Sequence, residues 1–336
     1  MQTILTGIRV NNEPTLGNFL GALLPMVRLA NQYSKDHHFN IFIPDLHTII
    51  SEVDGNLKTN TLKAVKYYLA AGLEINPHIH IYRQSYVPAH SELNWILGCV
   101  ATMGETSRMI QYKEKGQGQT SCNLAIFNYP ILMAADILLY DATYVPVGED
   151  QFQHLELTRD LALRFNKRFG ETFIVPLNTS AQTKFMQLDQ GLRIRDLVNP
   201  HLKMSKSNPS ANSKIMLSDT PAQAAKKILA ATTDSLGAIK FDMFNQSGIS
   251  NLLQIESLLT NQPLQSVIST WAGETRYGDF KQKVAATVSG FLSDFQSRLV
   301  DISDQVVQQL LAEGEEYANQ VANAKLHEVQ TAVGLR

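Results

Sequence analysis

The strongest constraint on the fold is an alternation in the first third of the chain. Thr3 to Ile8, Asn40 to Pro44 and Ile79 to Gln84 are short and rich in β-branched and aromatic residues, and each is followed by a segment of helical period. Leu16, Leu20, Leu23, Val27 and Ala30 share one face of a first helix that starts near Gly17, and Leu57 to Gly72 and His90 to Met103 supply the next two. A parallel neighbour can be reached only by a crossover, so strand–helix–strand repetition builds parallel pairs. The expected fold is α/β, a Rossmann-like doubly wound parallel sheet. Such sheets bind ligands beyond the carboxyl ends of their strands, where Gly7-Ile8-Arg9 and Pro44-Asp45-Leu46-His47 fall.

The alternation stops before the chain does. Pro25 predicts a kink or an early end to the first helix. Gly7 to Glu13 is irregular, and Lys113 to Thr120, polar with two glycines, reads as a surface loop. Asn128 to Leu139 is a helix with Pro130 in its first turn, where the missing N–H costs little. Thr143 to Val147 is a strand, Gln151 to Phe169 a long amphipathic helix, and Thr172 to Arg195 less regular. Pro221 to Thr232, Gly248 to Leu259, Leu264 to Ala272 and Gly278 to Lys325 are then all helical. The expected boundary near Ser210 separates an α/β domain, 1–210, from an all-helical domain, 211–336, whose last helix is placed to pack back on the first.

Composition narrows the class. With 336 residues and 44% hydrophobic content the chain can bury one large core or two modest ones. A formal net charge of -2 gives no overall basic field, so a nucleic acid would be held by local patches. Arg159, Arg164, Lys167 and Arg168 form one such charged helix face. Cys99 and Cys122 form no CxxC, so neither a thiolate metal site nor a disulfide framework is expected. His37-His38 has no further ligands at helpful spacing and reads as a solvated loop. The first residues lack a basic n-region, and no apolar run reaches the roughly 18 residues of a membrane span. No membrane association is expected, and a reduced, cytoplasmic setting is.

Three stretches carry chemistry. Lys203-Met204-Ser205-Lys206-Ser207 lies in a turn-prone loop before Asn208-Pro209, and its two ammonium groups suit a polyphosphate whose charge grows as a bond breaks. Thr15-Leu16-Gly17-Asn18 opens a helix after a strand, where unpaired N–H groups and the dipole favour an anion. Gly148-Glu149-Asp150-Gln151 sits between a strand and a helix. In addition, Tyr129, Met133 and Asp136 are spaced to share one helix face. A carboxylate inside an apolar helix is unfavourable unless paired, which makes Asp136 a candidate binding group.

These stretches together resemble the bacterial tryptophanyl-tRNA synthetases of class I. Thr15 to Asn18 is similar to the HIGH signature of that class in its T-x-G-N form, and Lys203 to Ser207 matches the KMSKS signature in full. Pro44 to His47, Pro88-Ala89-His90, Lys113 to Lys115, Leu132 to Tyr140, Val145 to Gln151, Leu157 to Asp160 and Gly248 to Leu253 follow in the family's order, so the resemblance covers nearly the whole chain. It implies ATP-dependent activation of L-tryptophan and transfer to tRNA(Trp) by a homodimer, with the helical half on the anticodon. It implies that Asp136 binds the indole nitrogen, with Met133, Tyr129, Gln151, Leu5 and His47 around the amino acid. It assigns ATP to Arg9, Val10, Asn11, Gly17, Asn18, Gly148, Glu149, Asp150, Ile194, Lys203, Met204, Ser205, Lys206 and Ser207. Lys203, Lys206 and Lys115 are the implied catalytic cations. Mg²⁺ is expected on the phosphates, and no protein metal ligand is named.

The chain departs from the family in two places. Gly7-Ile8-Arg9-Val10-Asn11-Asn12 stands where many members have GxQPSG, so Arg9 replaces a glutamine; Pro25 is unusual in the first helix. Two other readings stay open. The tyrosine-specific sibling family resembles this one but carries a tyrosine on the first strand, where Leu5 stands here. A nucleotide- or RNA-binding paralogue that charges no tRNA would keep the fold and lose the reaction.

Overall fold

The computed structural model describes residues 1–8, 13–50, 56–115, 123–186 and 193–336. Among the described residues, four parallel strands form one sheet in the order β3-β2-β1-β4: β1 Gln2–Gly7, β2 His37–Ile43, β3 Ile79–Arg83 and β4 Ala142–Tyr144. The chain winds from β1 outward to β3, then returns to β4 on the other side of β1. That reversal opens a crevice at the carboxyl ends of β1 and β4.

Side chains alternate across the strands, and the two faces build two cores. Ile4, Ile41 and Ile81 face a cluster that includes Phe19, Leu20, Val65 and, from the helical half, Ile249, Phe280 and Phe295. Their neighbours Leu5, Phe42 and Tyr82 face Leu93, Leu97, Ala134, Leu138 and Phe165. The first cluster runs without interruption past residue 210. Phe19 meets Phe291 and Phe295 with ring centroids 4.9 and 5.4 Å apart, so the helical half is packed onto the sheet layer.

Several elements differ from the periodicity. The first helix does not end at Pro25, but it leaves α geometry just before it. It is α over Leu16–Asn18, π over Phe19–Leu23, where the Leu24 N–H reaches the Phe19 carbonyl, and α again over Leu24–Tyr33. The wider turn lets the chain pass a residue that lacks an N–H and crowds the carbonyl behind it. Pro130 lies inside its helix, not in the first turn, because Asn123 caps the helix a turn earlier, at Leu124–Leu138, by accepting the Ile126 N–H at 3.1 Å. His90 to Met103 is not one helix but Ala89–Gly98 followed by Met103–Ser107, which starts at a Thr102–Glu105 capping box. His37 and His38 are not in a solvated loop. They open β2, half-buried, with Tyr33 and Tyr144 around His37 and Tyr317 beside His38. Ile110–Lys115 is helical where a loop is expected, and 116–120 lies outside the described residues.

The expected helix from Gly278 to Lys325 is two, Tyr277–Asp301 and Asp304–Ala332. Ile302 and Ser303 are extended, and the Ser303 hydroxyl caps the second helix by accepting the Val306 N–H at 3.3 Å. That last helix lies against β3. A Cβ on Gly314 would come 2.0 Å from the Ile81 carbonyl oxygen, so only glycine allows so close an approach. Among the described residues, no helix is long and apolar enough to cross a membrane.

Candidate active site

The two lysine- and glycine-bearing stretches meet at the carboxyl edge of the sheet. Beyond β1, Thr15 closes a capping box with Asn18: Thr15 Oγ1 accepts the Asn18 N–H at 3.1 Å, and Asn18 Oδ1 accepts from the Thr15 N–H at 3.2 Å. The Leu16 N–H donates to the Ile215 carbonyl at 2.7 Å. This helix start therefore offers fewer free N–H groups than a bare first turn. Met204 is buried, and its Cβ lies 3.0 Å from the position a Gly17 Cβ would take.

The loop around Met204 is anchored on both sides of its lysines. The Met204 N–H donates to the buried Ile194 carbonyl at 3.0 Å, and Arg195 bridges Lys203. Asp196 is buried and accepts from the Val198 and Asn199 N–H groups and from Asn208 Nδ2, the last at 2.7 Å. Lys214 Nζ donates to the Lys206 carbonyl at 2.6 Å. Ser205 and Ser207 share a hydroxyl contact of 2.9 Å. Lys203 and Lys206 are exposed, and among the described residues neither pairs with a carboxylate. Backbone and buried side chains thus hold the turn while both ammonium groups stay available to an anion.

Asp136 is fully buried and collared by three side chains. Its Oδ1 accepts from Gln84 Nε2 at 2.7 Å and bonds His90 Nδ1 at 2.6 Å; its Oδ2 bonds His47 Nε2 at 2.9 Å. His47 follows β2 on the Asp45–Thr48 helix, Gln84 follows β3 directly, and His90 lies on the next helix. The collar is therefore assembled where strands end. Burial by itself raises the Asp136 pKa, but the hydrogen bonds from His47 and His90 outweigh it and hold it down at about 2. A carboxylate has about four acceptor positions. Among the described residues three donors fill three of them, and the fourth falls on Oδ2 beside the partly exposed His47.

Tyr129 lies next in the same wall. Its ring stands edge-on to His47 at 6.0 Å, and its hydroxyl bonds Nε2 of the buried His154. Burial pushes the His154 pKa down to about 4, so the ring is neutral at pH 7. Met133 is half-buried against the second core, and Leu5 is fully inside it. Gly148 leads into the turn Glu149–Gln151, which runs into the helix carrying His154. Gln151 Nε2 donates to the exposed Asp150 carboxylate at 2.7 Å, and a Cβ on Gly148 would sit 2.8 Å from Asp150 Oδ1. Arg9, Val10, Asn11 and the Lys115 side chain lie outside the described residues. Of the basic helix face, Arg159 donates to the Pro176 carbonyl and Arg164 grips Glu105, while Lys167 and Arg168 are exposed.

Gln84, His90 and His154 were not among the candidates read from the sequence. His90 had a signal in the Pro88-Ala89-His90 stretch. Gln84 had only its place at the end of a strand, and His154 none, because a buried histidine on an amphipathic helix has no distinguishing pattern.

Comparison with known proteins bears on this arrangement. Residues 2–293 match the family model for tRNA synthetases class I (W and Y). The chain is 43% identical to the tryptophan–tRNA ligase of Caldanaerobacter subterraneus subsp. tengcongensis, over 100% of this chain and 99% of the relative. Its fold is similar to the crystal structure of tryptophanyl-tRNA synthetase from Mycoplasma pneumoniae, with a TM-score of 0.79 and 33% identity over 100% of this chain and 98% of the other. It is also similar to the Campylobacter jejuni enzyme complexed with ADP and tryptophan, with a TM-score of 0.78 and 29% identity over 99% of this chain and 100% of the other. A sheet whose carboxyl edge carries both signature loops and a collared carboxylate, matched along its whole length, means that this chain belongs to the class I tRNA synthetases of the tryptophan and tyrosine family and groups with their bacterial tryptophan–tRNA ligases.

Proposed function

We propose that the chain activates L-tryptophan with ATP, giving tryptophanyl-adenylate and pyrophosphate, and transfers the amino acid to tRNA(Trp). The observation that carries this reading is the buried Asp136 carboxylate, whose Oδ2 accepts one bond among the described residues while its Oδ1 takes two. An indole N–H is a donor only and needs one acceptor. Leu5, buried on β1, offers a phenol no second partner, which supports tryptophan over tyrosine. A site that leaves a buried polar group unpaired can separate close substrates by about 10⁴ or more.

In this reading Met133 packs on the indole ring, His47 lines the pocket beside Asp136 Oδ2, and Tyr129 and Gln151 take the amino acid's polar end. The tryptophan carboxylate attacks the α-phosphorus in line, and no enzyme nucleophile takes part. Lys203 and Lys206, with Lys115, neutralise the departing pyrophosphate. Gly17, Asn18, Gly148, Glu149, Asp150, Ile194, Met204, Ser205 and Ser207 frame the nucleotide, together with Arg9, Val10 and Asn11. Mg²⁺ arrives on the ATP phosphates, since it sheds water reluctantly. A ribose hydroxyl of the tRNA 3′ adenosine then attacks the carbonyl of the mixed anhydride, forming the ester as AMP leaves.

The helical half, 211–336, takes the anticodon, and the enzyme works in the cytoplasm as a homodimer. Exposed Leu124, on Leu124–Leu138, and exposed Trp95 and Met103, on two helices packed against it, support an apolar subunit contact. The test is exchange of labelled pyrophosphate into ATP with each amino acid in turn. Exchange that depends on tryptophan, followed by charging of tRNA(Trp), is expected. Exchange with tyrosine alone, or with none, contradicts the proposal.

A further inference from the structure

The last helix, Asp304–Ala332, contributes no residue to the Asp136 collar, yet it bonds the residues on both sides of Gln84 and one on the helix of His90, and it reaches His47 only through Ser85 and Asp45. Glu315 takes a forked pair of hydrogen bonds from Arg83, Nε at 2.5 Å and Nη2 at 3.0 Å, and both side chains are largely buried. Arg83 ends β3, and the next residue is Gln84. One turn further along the last helix, Asn319 Nδ2 donates to the Tyr86 carbonyl at 2.9 Å, so the segment carrying Gln84 is gripped before and after it. Between the two grips, the Ser85 N–H donates at 2.8 Å to Asp45 Oδ1, and Asp45 opens the short helix that carries His47. Further on, Gln330 Nε2 donates to Glu92 at 2.5 Å, and Glu92 shares a helix with His90.

We infer that Glu315 is a positioning residue for amino-acid recognition, acting through Arg83 on Gln84 and so on the orientation of the Asp136 carboxylate. The inference rests on the proposed contact between Asp136 and the indole. A guanidinium held in both forks cannot turn without losing both bonds. It fixes the backbone at Arg83 and with it the 2.7 Å reach of Gln84 to Asp136 Oδ1. With Oδ1 held by Gln84 and His90, Oδ2 has one direction left for a ligand. When Gln84 shifts, Oδ1 loses a donor, the carboxylate rotates and the acceptor leaves the place the indole needs.

A role only in bolting the helix down predicts something different. Lys66 pairs with Asp304 at 2.7 Å and fastens the start of the same helix to Leu57–Ala70, which carries none of the collar. The test compares Glu315→Gln, Arg83→Lys, Lys66→Gln and Asp136→Ala in the full-length enzyme. Each is assayed for the KM of tryptophan and of ATP in pyrophosphate exchange, and for thermal midpoint. Glu315→Gln is expected to raise the tryptophan KM about tenfold and leave the ATP KM within about twofold. Arg83→Lys, which keeps the charge and loses the fork, shows the same split more weakly. Lys66→Gln lowers the midpoint with no split. Equal changes in both KM values, or none, in Glu315→Gln while Asp136→Ala raises the tryptophan KM overturn the role of Glu315 and leave the site reading intact. An unchanged tryptophan KM in Asp136→Ala overturns that reading, and Glu315 with it.

Discussion

Met204 is packed against Gly17: the methionine Cβ lies 3.0 Å, and its sulfur 3.3 Å, from where a side chain on Gly17 would begin. The loop bearing both lysines therefore rests directly on the first turn of the amino-terminal helix. Gly17→Ala forces Met204 to give by a few tenths of an ångström, in the middle of the lysine-bearing loop. The expected result is a roughly tenfold or greater fall in the rate of adenylate formation. Tryptophan affinity by equilibrium dialysis should stay within about twofold. A variant that loses both equally would show that this contact does not separate the two functions.

Lys206 is exposed in a turn whose backbone is held by Lys214 and whose neighbour Asn208 is held by Asp196. Removing its ammonium group should therefore leave the turn in place. Lys206→Ala is expected to slow single-turnover adenylate formation by about 10²-fold with little change in tryptophan affinity, the pattern of an interaction made mainly in the transition state. Parallel losses in rate and affinity would place Lys206 in ground-state binding instead.

Two histidines set a pH dependence of stability. Burial, with His38 and His78 nearby, lowers the His80 pKa to about 4, and burial lowers that of His154 to about 4. Unfolded histidine titrates near 6.5, so between about pH 6.5 and 4 the unfolded chain binds more protons at these positions than the folded one. Their contribution to stability is full above 6.5 and is lost as pH falls toward 4. The facing groups at His80 are His38 on β2, His78 before β3, and Tyr317 of the last helix, which stacks on the ring at 3.4 Å. Urea midpoints measured from pH 7.5 to 4.5 should fall less steeply for His80→Gln than for the native chain. Parallel slopes would remove His80 from the account.

Gly314→Ala tests how the last helix sits. The added carbon would meet the Ile81 backbone at 2.0 Å, and backbone cannot swing aside. A loss of about 3 kcal/mol is expected from urea unfolding, at the upper end for overpacking. A loss near zero would mean that the helix rides higher over β3 than this geometry allows.

Which of these relationships the sequence discloses follows from their range. The parallel sheet was legible because each strand is a short apolar run and each crossover is periodic; the strands at Thr3, Asn40 and Ile79 were displaced by at most a few residues. The break at Ile302–Ser303 was not, because no glycine or proline marks it and only a serine cap interrupts a pattern that is apolar on both sides. Pro130 was misplaced, and at Pro25 the early end did not occur although the helix does leave α geometry just before it, for a related reason. A proline forbids one local bond, but whether a helix widens, bends or continues past it depends on packing that the sequence does not display. At the site, Asp136, His47 and Tyr129 were visible by spacing and resemblance. Gln84 and the grip of Glu315 on Arg83 were not, since residues 232 positions apart in sequence become neighbours only when the last helix docks on β3.

The central claim is that the open acceptor position on Asp136 receives the indole. A crystal structure with bound tryptophan measures it directly, through the distance from the indole nitrogen to Asp136 Oδ2. The account predicts a hydrogen bond of about 2.9 Å, with Gln84 and His90 still on Oδ1. An indole nitrogen bonded to any other group, or a ring seated away from the Leu124–Leu138 helix, would contradict it.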